Sequence, residues 1–162
     1  MSIVDLKDLP RILAPGQRLL GLDLGEKTIG VALTDTLLTV ATPMQTLKRG
    51  KFSKDAALIA GLIAEHGIGA IVVGLPLNMD GSAGPSAQSA QAFARNFAAV
   101  NNCPVVLTDE RLSTAAVTRT LLDADATRLR RRAVVDKMAA AYVLQGVLDR
   151  LAAIKRSPMS PR

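Results

Sequence analysis

Apolar residues fall into short dense runs that alternate with stretches of helical period along most of the chain. Two runs, at residues 18–25 and 28–35, are separated by a tight turn, which predicts a β-hairpin. A third strand is expected within residues 38–47. The runs at 70–76 and 104–110 are short with apolar centres, a pattern typical of buried strands in a parallel sheet.

Four stretches carry apolar residues at helical spacing, and two of them begin with a serine suited to an N-cap. The predicted helices are 53–66 with Ser53 as N-cap, 86–100, 113–122 with Ser113 as N-cap, and 136–154. The remaining segments are predicted to be irregular. They are a lead at 1–16 broken by Pro10 and Pro15, a basic loop at 123–135, and a disordered tail at 155–162.

Strands that alternate with helices indicate an α/β fold, in which helices cover a mixed sheet with a parallel portion. The five predicted strands would form one central sheet. The chain has 162 residues, no internal repeat and no linker, so a single domain over residues 1–162 is expected, with its core at about 17–154.

The chain is basic, with a formal net charge of +6 and a pI near 10.0. This charge favours a polyanionic partner, with nucleic acid ahead of a membrane surface. Aromatic residues make up only 2%, so contacts to a nucleic acid would use backbone charge rather than base stacking. No run approaches the ~20 apolar residues of a membrane span, and no signal peptide is visible. We therefore expect a cytoplasmic protein without a membrane partner.

Metal chemistry is limited by the presence of one cysteine, Cys103, and one histidine, His66. An internal disulfide, a cysteine zinc site and a histidine cluster are all excluded. His66 precedes Gly67 at a predicted helix end, where its charge would be favourable. Any metal site must therefore use oxygen ligands.

Three acids fall where a metal site could form. Asp23 interrupts the first strand near its end, Glu110 closes the last strand, and Asp136 lies one turn before the apolar stripe of the final helix. Ligands in open α/β sheets bind at the carboxyl ends of strands. Oxygen ligands from separate elements suit Mg²⁺ or Mn²⁺, and two ions could sit roughly 3.5–4 Å apart.

Each acid also has a structural interpretation. Asp23 could form a turn ahead of Gly25, and Glu110 could pair with Arg111. Asp136 could be a helix N-cap, a position that favours aspartate.

Four blocks of sequence resemble one known family. They are DLGEKTIGVALTD at 23–35, VVGLPLNMDGSAG at 72–84, TDERLST at 108–114 and VDKMAAAYVLQGVL at 135–148. In order and spacing they resemble the YqgF family, also called RuvX, which is similar to the RuvC Holliday-junction resolvases of the RNase H-like superfamily. Many members have Arg after the lysine of the first block, whereas here Thr28 follows Lys27.

The resemblance implies an RNase H-like fold and a metal-dependent nuclease. It implies that Asp23, Glu110 and Asp136 are the catalytic acids and the ligands of Mg²⁺ or Mn²⁺. The family is associated with processing of the 5′ end of pre-16S ribosomal RNA, and more loosely with junction resolution.

Basic and amide side chains near these acids are candidates for substrate binding. Asn78 lies in a glycine-rich loop that could hold a phosphate, although the loop could equally be a turn formed by Asp80. A cluster of arginines just before Asp136 could clamp phosphates or could be a solvated loop. The predicted substrate-binding residues are Lys27, Asn78, Arg111, Arg128, Arg130, Arg131 and Arg132.

Several functions remain open at this point. The first is a two-metal endonuclease acting on structured RNA, as a monomer or weak homodimer. The second is a junction-resolving nuclease for branched DNA, which would need a two-fold dimer. The third is a non-catalytic RNA-binding factor of ribosome assembly. An actin-like ATPase would need two such domains, for which 162 residues are too few.

Overall fold

A computed structural model describes residues 3–112 and 128–156, with side chains described for 3–111 and 137–154. The predicted helix at 113–122 and most of the predicted tail lie outside these residues. Single-domain organisation over 1–162 stays a prediction.

Six strands form one mixed sheet in the order β1-β6-β5-β2-β3-β4. The hairpin β2–β3 and the pair β3–β4 are antiparallel, whereas β5 pairs in parallel with both β2 and β6. The strands are β1 (Ile3–Val4), β2 (Arg18–Leu24), β3 (Thr28–Thr34), β4 (Ala41–Lys48), β5 (Ile68–Leu75) and β6 (Val105–Asp109).

Helices cover both faces of the sheet. They are the short α1 (Leu9–Ile12), α2 (Phe52–His66), α3 (Pro85–Val100) and the long α4 (Arg128–Arg156), with 3-10 turns at Leu6–Asp8 and Glu110–Leu112. No helix within the described parts of the chain has the length and apolar character needed to span a bilayer.

Alternation along β2 shows how the sheet divides the core. Leu20 and Leu22 face the layer that contains α2 and α3. Leu19 faces the layer that contains α4. Because side chains alternate along a strand, Gly21 and Asp23 share the α4 face with Leu19.

Two glycines let α4 lie close to the sheet. A Cβ at Gly21 would stand 3.1 Å from the Ala140 carbonyl oxygen, and a Cβ at Gly74 would stand 3.2 Å from Val143 Cγ2. At its far end, α4 is tied to β6 by Arg150, which donates a 2.6 Å hydrogen bond to Thr108 Oγ1.

The sequence-based prediction of five strands missed β1. This strand has two residues, Ile3 and Val4, and pairs in parallel with Val105 and Val106 of β6. A two-residue strand is too short to show a period. The segment was instead predicted to be an irregular lead.

The predicted start of α2 was wrong. The N-cap is Lys51 rather than Ser53, and its side chain makes no capping hydrogen bond. The carboxylate of Asp55 reaches back from inside the helix and accepts from the Gly50 N–H at 3.2 Å. This contact offsets part of the cost of burying Asp55, which is only 2% exposed.

The predicted loop at 123–135 was also wrong over its second half. The last helix begins at Arg128, eight residues before the predicted start, so the arginine cluster lies in its first turns. Arginine is a good helix former, and polarity alone does not indicate a loop.

Candidate metal site at the carboxyl edge of the sheet

Asp23 lies near the carboxyl end of β2, in a central position of the sheet. It pairs with Gly30 of the antiparallel neighbour β3, and only 2% of it is exposed. Alternation along the strand directs its side chain to the α4 face. A turn-forming aspartate would be expected at the surface, so this burial favours a role in a site.

Glu110 immediately follows β6 and opens the 3-10 turn Glu110–Leu112. It is also 2% exposed. A Cβ at Gly74 would stand 3.1 Å from the Cγ of Glu110. The side chain of Glu110 therefore lies across the end of β5, over a residue that has no side chain.

These contacts place the two acids on either side of the same strand. Leu22 is paired with Val73 in β5, so Asp23 lies level with Gly74. Gly74 in turn is paired with Thr108 of β6, just before Glu110. Both carboxylates thus lie at the carboxyl ends of β2 and β6, the two strands that flank β5, on the side of the sheet covered by α4.

Asp136 lies inside α4, in its third turn, so it is not the helix N-cap. Val143 of α4 lies against Gly74, near the end of β5. Leu151 shares a cavity with Leu13, which lies against Gly69 at the start of β5. The helix therefore runs antiparallel to β5, and the seven residues from Val143 back to Asp136 extend it by about 10 Å toward the carboxyl edge. The side chain of Asp136 lies outside the described ones.

The two described carboxylates fit a hard divalent cation by their chemistry. Burying two acids near one another is costly unless a positive charge or hydrogen bonds compensate. Carboxylate oxygens are the ligands that Mg²⁺ and Mn²⁺ prefer. Among the described side chains no cluster of three or more potential metal ligands occurs, so a complete site would need Asp136 as well.

Arg111 pairs with Asp109 rather than with Glu110. Its Nε donates to both Asp109 oxygens at 3.0 Å and its Nη2 donates to one of them at 2.6 Å. These bonds hold the pKa of Asp109 below its ordinary value. Nη1 donates to the carbonyl oxygen of Met79 at 3.1 Å. Arg111 thereby anchors the loop after β5 to the end of β6.

That loop is a compact turn built by Asp80, as the structural interpretation of the sequence allowed. Asp80 Oδ1 accepts from the backbone N–H and the hydroxyl of Ser82, which lowers the pKa of Asp80. The exposed Asn78 donates from its amide to Ser82 Oγ at 3.0 Å. Gly81 has φ +90°, a conformation that favours glycine. A phosphate contact by Asn78 stays a prediction.

The other predicted substrate contacts lie around the same edge. Lys27 is exposed in the turn between β2 and β3. The backbones of Arg128, Arg130, Arg131 and Arg132 lie in the first turns of α4, and their side chains are outside the described ones. Their roles in binding stay predictions.

Arg49, which directly follows β4, is a basic residue near this edge that the sequence analysis did not single out. Its Nη1 donates to the Gly25 carbonyl oxygen at 2.7 Å and its Nη2 donates to Ser89 Oγ at 2.9 Å. The sequence did contain a signal, because residues 48–54 include four basic side chains within seven positions.

Residues 17–150 match the family profile described as "RuvX: Holliday junction resolvase". A protein of Methylocella silvestris is 56% identical over 154 residues, which is 95% of this chain and 96% of its own length. A protein of Paramagnetospirillum magneticum is 54% identical over 149 residues, or 92% of this chain and 96% of its own. Both carry the name "Putative pre-16S rRNA nuclease".

The structure of Thermus thermophilus RuvC superposes with a TM-score of 0.51 at 14% identity, covering 84% of this chain and 97% of that one. At this identity the likeness concerns the fold alone, and it confirms the expected RNase H-like α/β architecture. The family match, by contrast, spans all but the ends of the chain. This protein therefore belongs to the RuvX family, a family of nucleases.

Proposed function

We propose that the protein is a divalent metal-dependent endonuclease that hydrolyses phosphodiester bonds, with Asp23, Glu110 and Asp136 as its metal ligands. The observation that carries this proposal is the pairing of two buried acids across the end of β5. Each is 2% exposed, and both lie on the face covered by α4. The direction of that helix supports the inclusion of Asp136 in the same site.

Asp23, Glu110 and Asp136 would hold Mg²⁺ or Mn²⁺, as one or two ions, and the metal would supply an activated water and stabilise the leaving oxygen. The chain contributes rigid ligands, because Asp23 belongs to a central strand and Glu110 is packed against Gly74. Histidine is not available as the general base. His66 ends α2 just before the amino end of β5, at the edge of the sheet opposite to Glu110.

The substrate we propose is pre-16S ribosomal RNA, cut at its 5′ end. Support comes from the two relatives at 56% and 54% identity, which both carry that substrate in their names. The net charge of +6 fits any nucleic acid. Such a substrate implies a cytoplasmic site of action.

Junction resolution is the second candidate, because the family description names it. Symmetric cleavage of a four-way junction requires a two-fold dimer. The oligomeric state in solution therefore separates the two candidates. The predicted monomer or weak homodimer fits the RNA nuclease, whereas a stable two-fold dimer would fit the junction resolvase.

The test is cleavage of labelled pre-16S RNA, a four-way DNA junction and linear duplexes with Mg²⁺, Mn²⁺ or EDTA. We expect metal-dependent cutting that is lost in Asp23→Asn. The exposed Asp149 on α4 provides a matched control, and Asp149→Asn should cut as well as the wild type. Preference for the RNA supports the proposed substrate, and preference for the junction supports the second candidate. If no substrate is cut although the protein binds RNA, it is an assembly factor rather than a nuclease.

A further inference from the structure

A cavity of about 470 Å³ opens on the other side of the β2–β3 turn from Asp23. Its walls include Gly25 of the turn, Arg49 at the end of β4, and Ser86 and Ser89 of α3. Small-molecule sites have volumes of about 300–1,000 Å³, so this cavity has room for the phosphate and sugar of one nucleotide.

Arg49 is the cationic group of this cavity, and it is held in a fixed orientation. Hydrogen bonds to Gly25 and Ser89 use two of the five N–H groups of its guanidinium. Within the described residues, no carboxylate lies within 4.0 Å of it. A half-buried guanidinium that has spare donors and no carboxylate partner in the described part of the chain is well suited to an oxyanion.

The surroundings of Arg49 are also positive. Lys48, Lys51 and Lys54 flank it in sequence and are all exposed. The aspartate nearest in sequence, Asp55, is buried and engaged with the Gly50 N–H. One exposed acid, Glu26, lines the cavity.

The cavity lies close to the proposed cleavage site. Gly25 is two residues beyond Asp23, which corresponds to about 7 Å of extended chain. Asp23 faces α4, whereas Ser89 belongs to α3 on the opposite face of the sheet. A nucleic acid strand that crosses the carboxyl edge of β2 can therefore contact both places with neighbouring phosphates.

We propose that this cavity is a second phosphate subsite, in which Arg49 binds a backbone phosphate of the nucleic acid next to the one that is cut. The inference rests on the proposed function and extends it. The ligand is the phosphate rather than a base, so RNA and DNA of the same structure should use the subsite alike.

The test measures the affinity of Arg49→Gln for a short labelled RNA hairpin, and for the DNA hairpin of the same sequence, over a range of salt concentrations in EDTA. We expect binding to weaken about tenfold, as for the loss of one charge-assisted hydrogen bond. The slope of log affinity against log salt should fall by about 0.7–0.9, as for one lost phosphate contact. Arg95→Gln is the matched control, since Arg95 is exposed on α3 and lies outside the cavity.

Two further variants separate the charge of Arg49 from its role as a brace between Gly25 and Ser89. Arg49→Lys keeps the charge but cannot bridge both acceptors, so it should retain the wild-type salt slope. Glu26→Gln removes the acid of the cavity and should tighten binding. If Arg49→Lys instead behaves like Arg49→Gln, the residue is a structural brace and the subsite does not exist.

The position of the contact is tested with single methylphosphonates, which remove the charge of one phosphate. At one position, the methylphosphonate should weaken the binding of the nucleic acid to the wild type but should not change its binding to Arg49→Gln. If no position shows this coupling, or Arg49→Gln matches Arg95→Gln, or the wild type binds neither hairpin, the inference is wrong. Arg49-dependent binding without cleavage would instead retain the subsite and contradict the nuclease function.

Discussion

Glu110 lies directly over the backbone of Gly74, and a Cβ at Gly74 would stand 3.1 Å from the Glu110 Cγ. The glycine is therefore needed for the position of the acid rather than for a turn. Its backbone belongs to an ordinary strand, paired with Thr108 of β6.

Gly74→Ala should displace Glu110 and lower both activity and stability. The added methyl group meets Glu110 and Val143 at once, and overpacking of this kind costs about 1–3 kcal/mol of unfolding free energy. The measurement is cleavage activity together with denaturant unfolding.

Gly61→Ala is the matched control, because a Cβ there would contact nothing within 4 Å. This glycine is in the middle of α2 and exposed, so alanine should stabilise the protein by about 0.5–1 kcal/mol. An active, normally stable Gly74→Ala protein would show that Glu110 tolerates displacement.

Metal binding should be visible in thermal unfolding without any substrate. A ligand at 100 times its Kd stabilises a protein by about 2.7 kcal/mol, and a protein of this size gains about 2–4 °C per kcal/mol. Mn²⁺ should therefore raise the Tm of the wild type and of Asp149→Asn, but not that of Asp23→Asn or Glu110→Gln.

In EDTA the advantage in Tm that Mn²⁺ gives the wild type over Asp23→Asn should disappear. Asp23→Asn should melt no lower than the wild type, because it removes one of two carboxylates that are buried across the end of the same strand. If Mn²⁺ raises the Tm of Asp23→Asn as much as that of the wild type, Asp23 is not a metal ligand.

The ion pair between Arg111 and Asp109 should contribute to stability in a pH-dependent way. The folded-state pKa of Asp109 is lowered, chiefly by its hydrogen bonds to Arg111. The contribution is therefore complete above the unfolded-state pKa of about 3.9. It is lost as the pH falls through the lower folded-state pKa.

Arg111→Gln should accordingly be less stable than the wild type near pH 7, and the two stabilities should converge in strong acid. Since Arg111 also holds the Met79 carbonyl, limited proteolysis should cut the variant faster in the loop at 76–84. A stability difference that stays constant down to pH 2 would show that the ion pair is not its source.

Replacing Arg128, Arg130, Arg131 and Arg132 by Gln should weaken RNA binding and flatten its salt dependence. Each lost phosphate contact lowers the slope of log affinity against log salt by about 0.7–0.9. Glutamine is also a good helix former, so α4 should remain intact in circular dichroism. If the salt dependence of RNA binding is unchanged, these four arginines do not contact phosphates.

The sequence predicted five of the six strands and the placement of both described acids near strand ends, because these depend on local apolar runs and on the rule that sites form at carboxyl ends. It could not predict the contacts that Arg49 makes, since Gly25 and Ser89 are distant in the chain and nothing local indicates them. Nor could it predict the cap of α2. Serine is the favoured cap by propensity, whereas the N-cap here is Lys51, which makes no side-chain capping bond. Asp55 instead accepts from the Gly50 N–H just before the helix.

The order of strands in the sheet also has a consequence for when the protein becomes active. Asp23 belongs to a hairpin of local contacts, whereas Glu110 takes its place on the far side of β5 only after β5 and β6 have been added in parallel, and Asp136 lies in α4. Nonlocal parallel pairing forms slowly. Under the proposed function, a chain still being synthesised holds an incomplete ligand set, so cleavage of RNA begins only once the chain as far as α4 has left the ribosome.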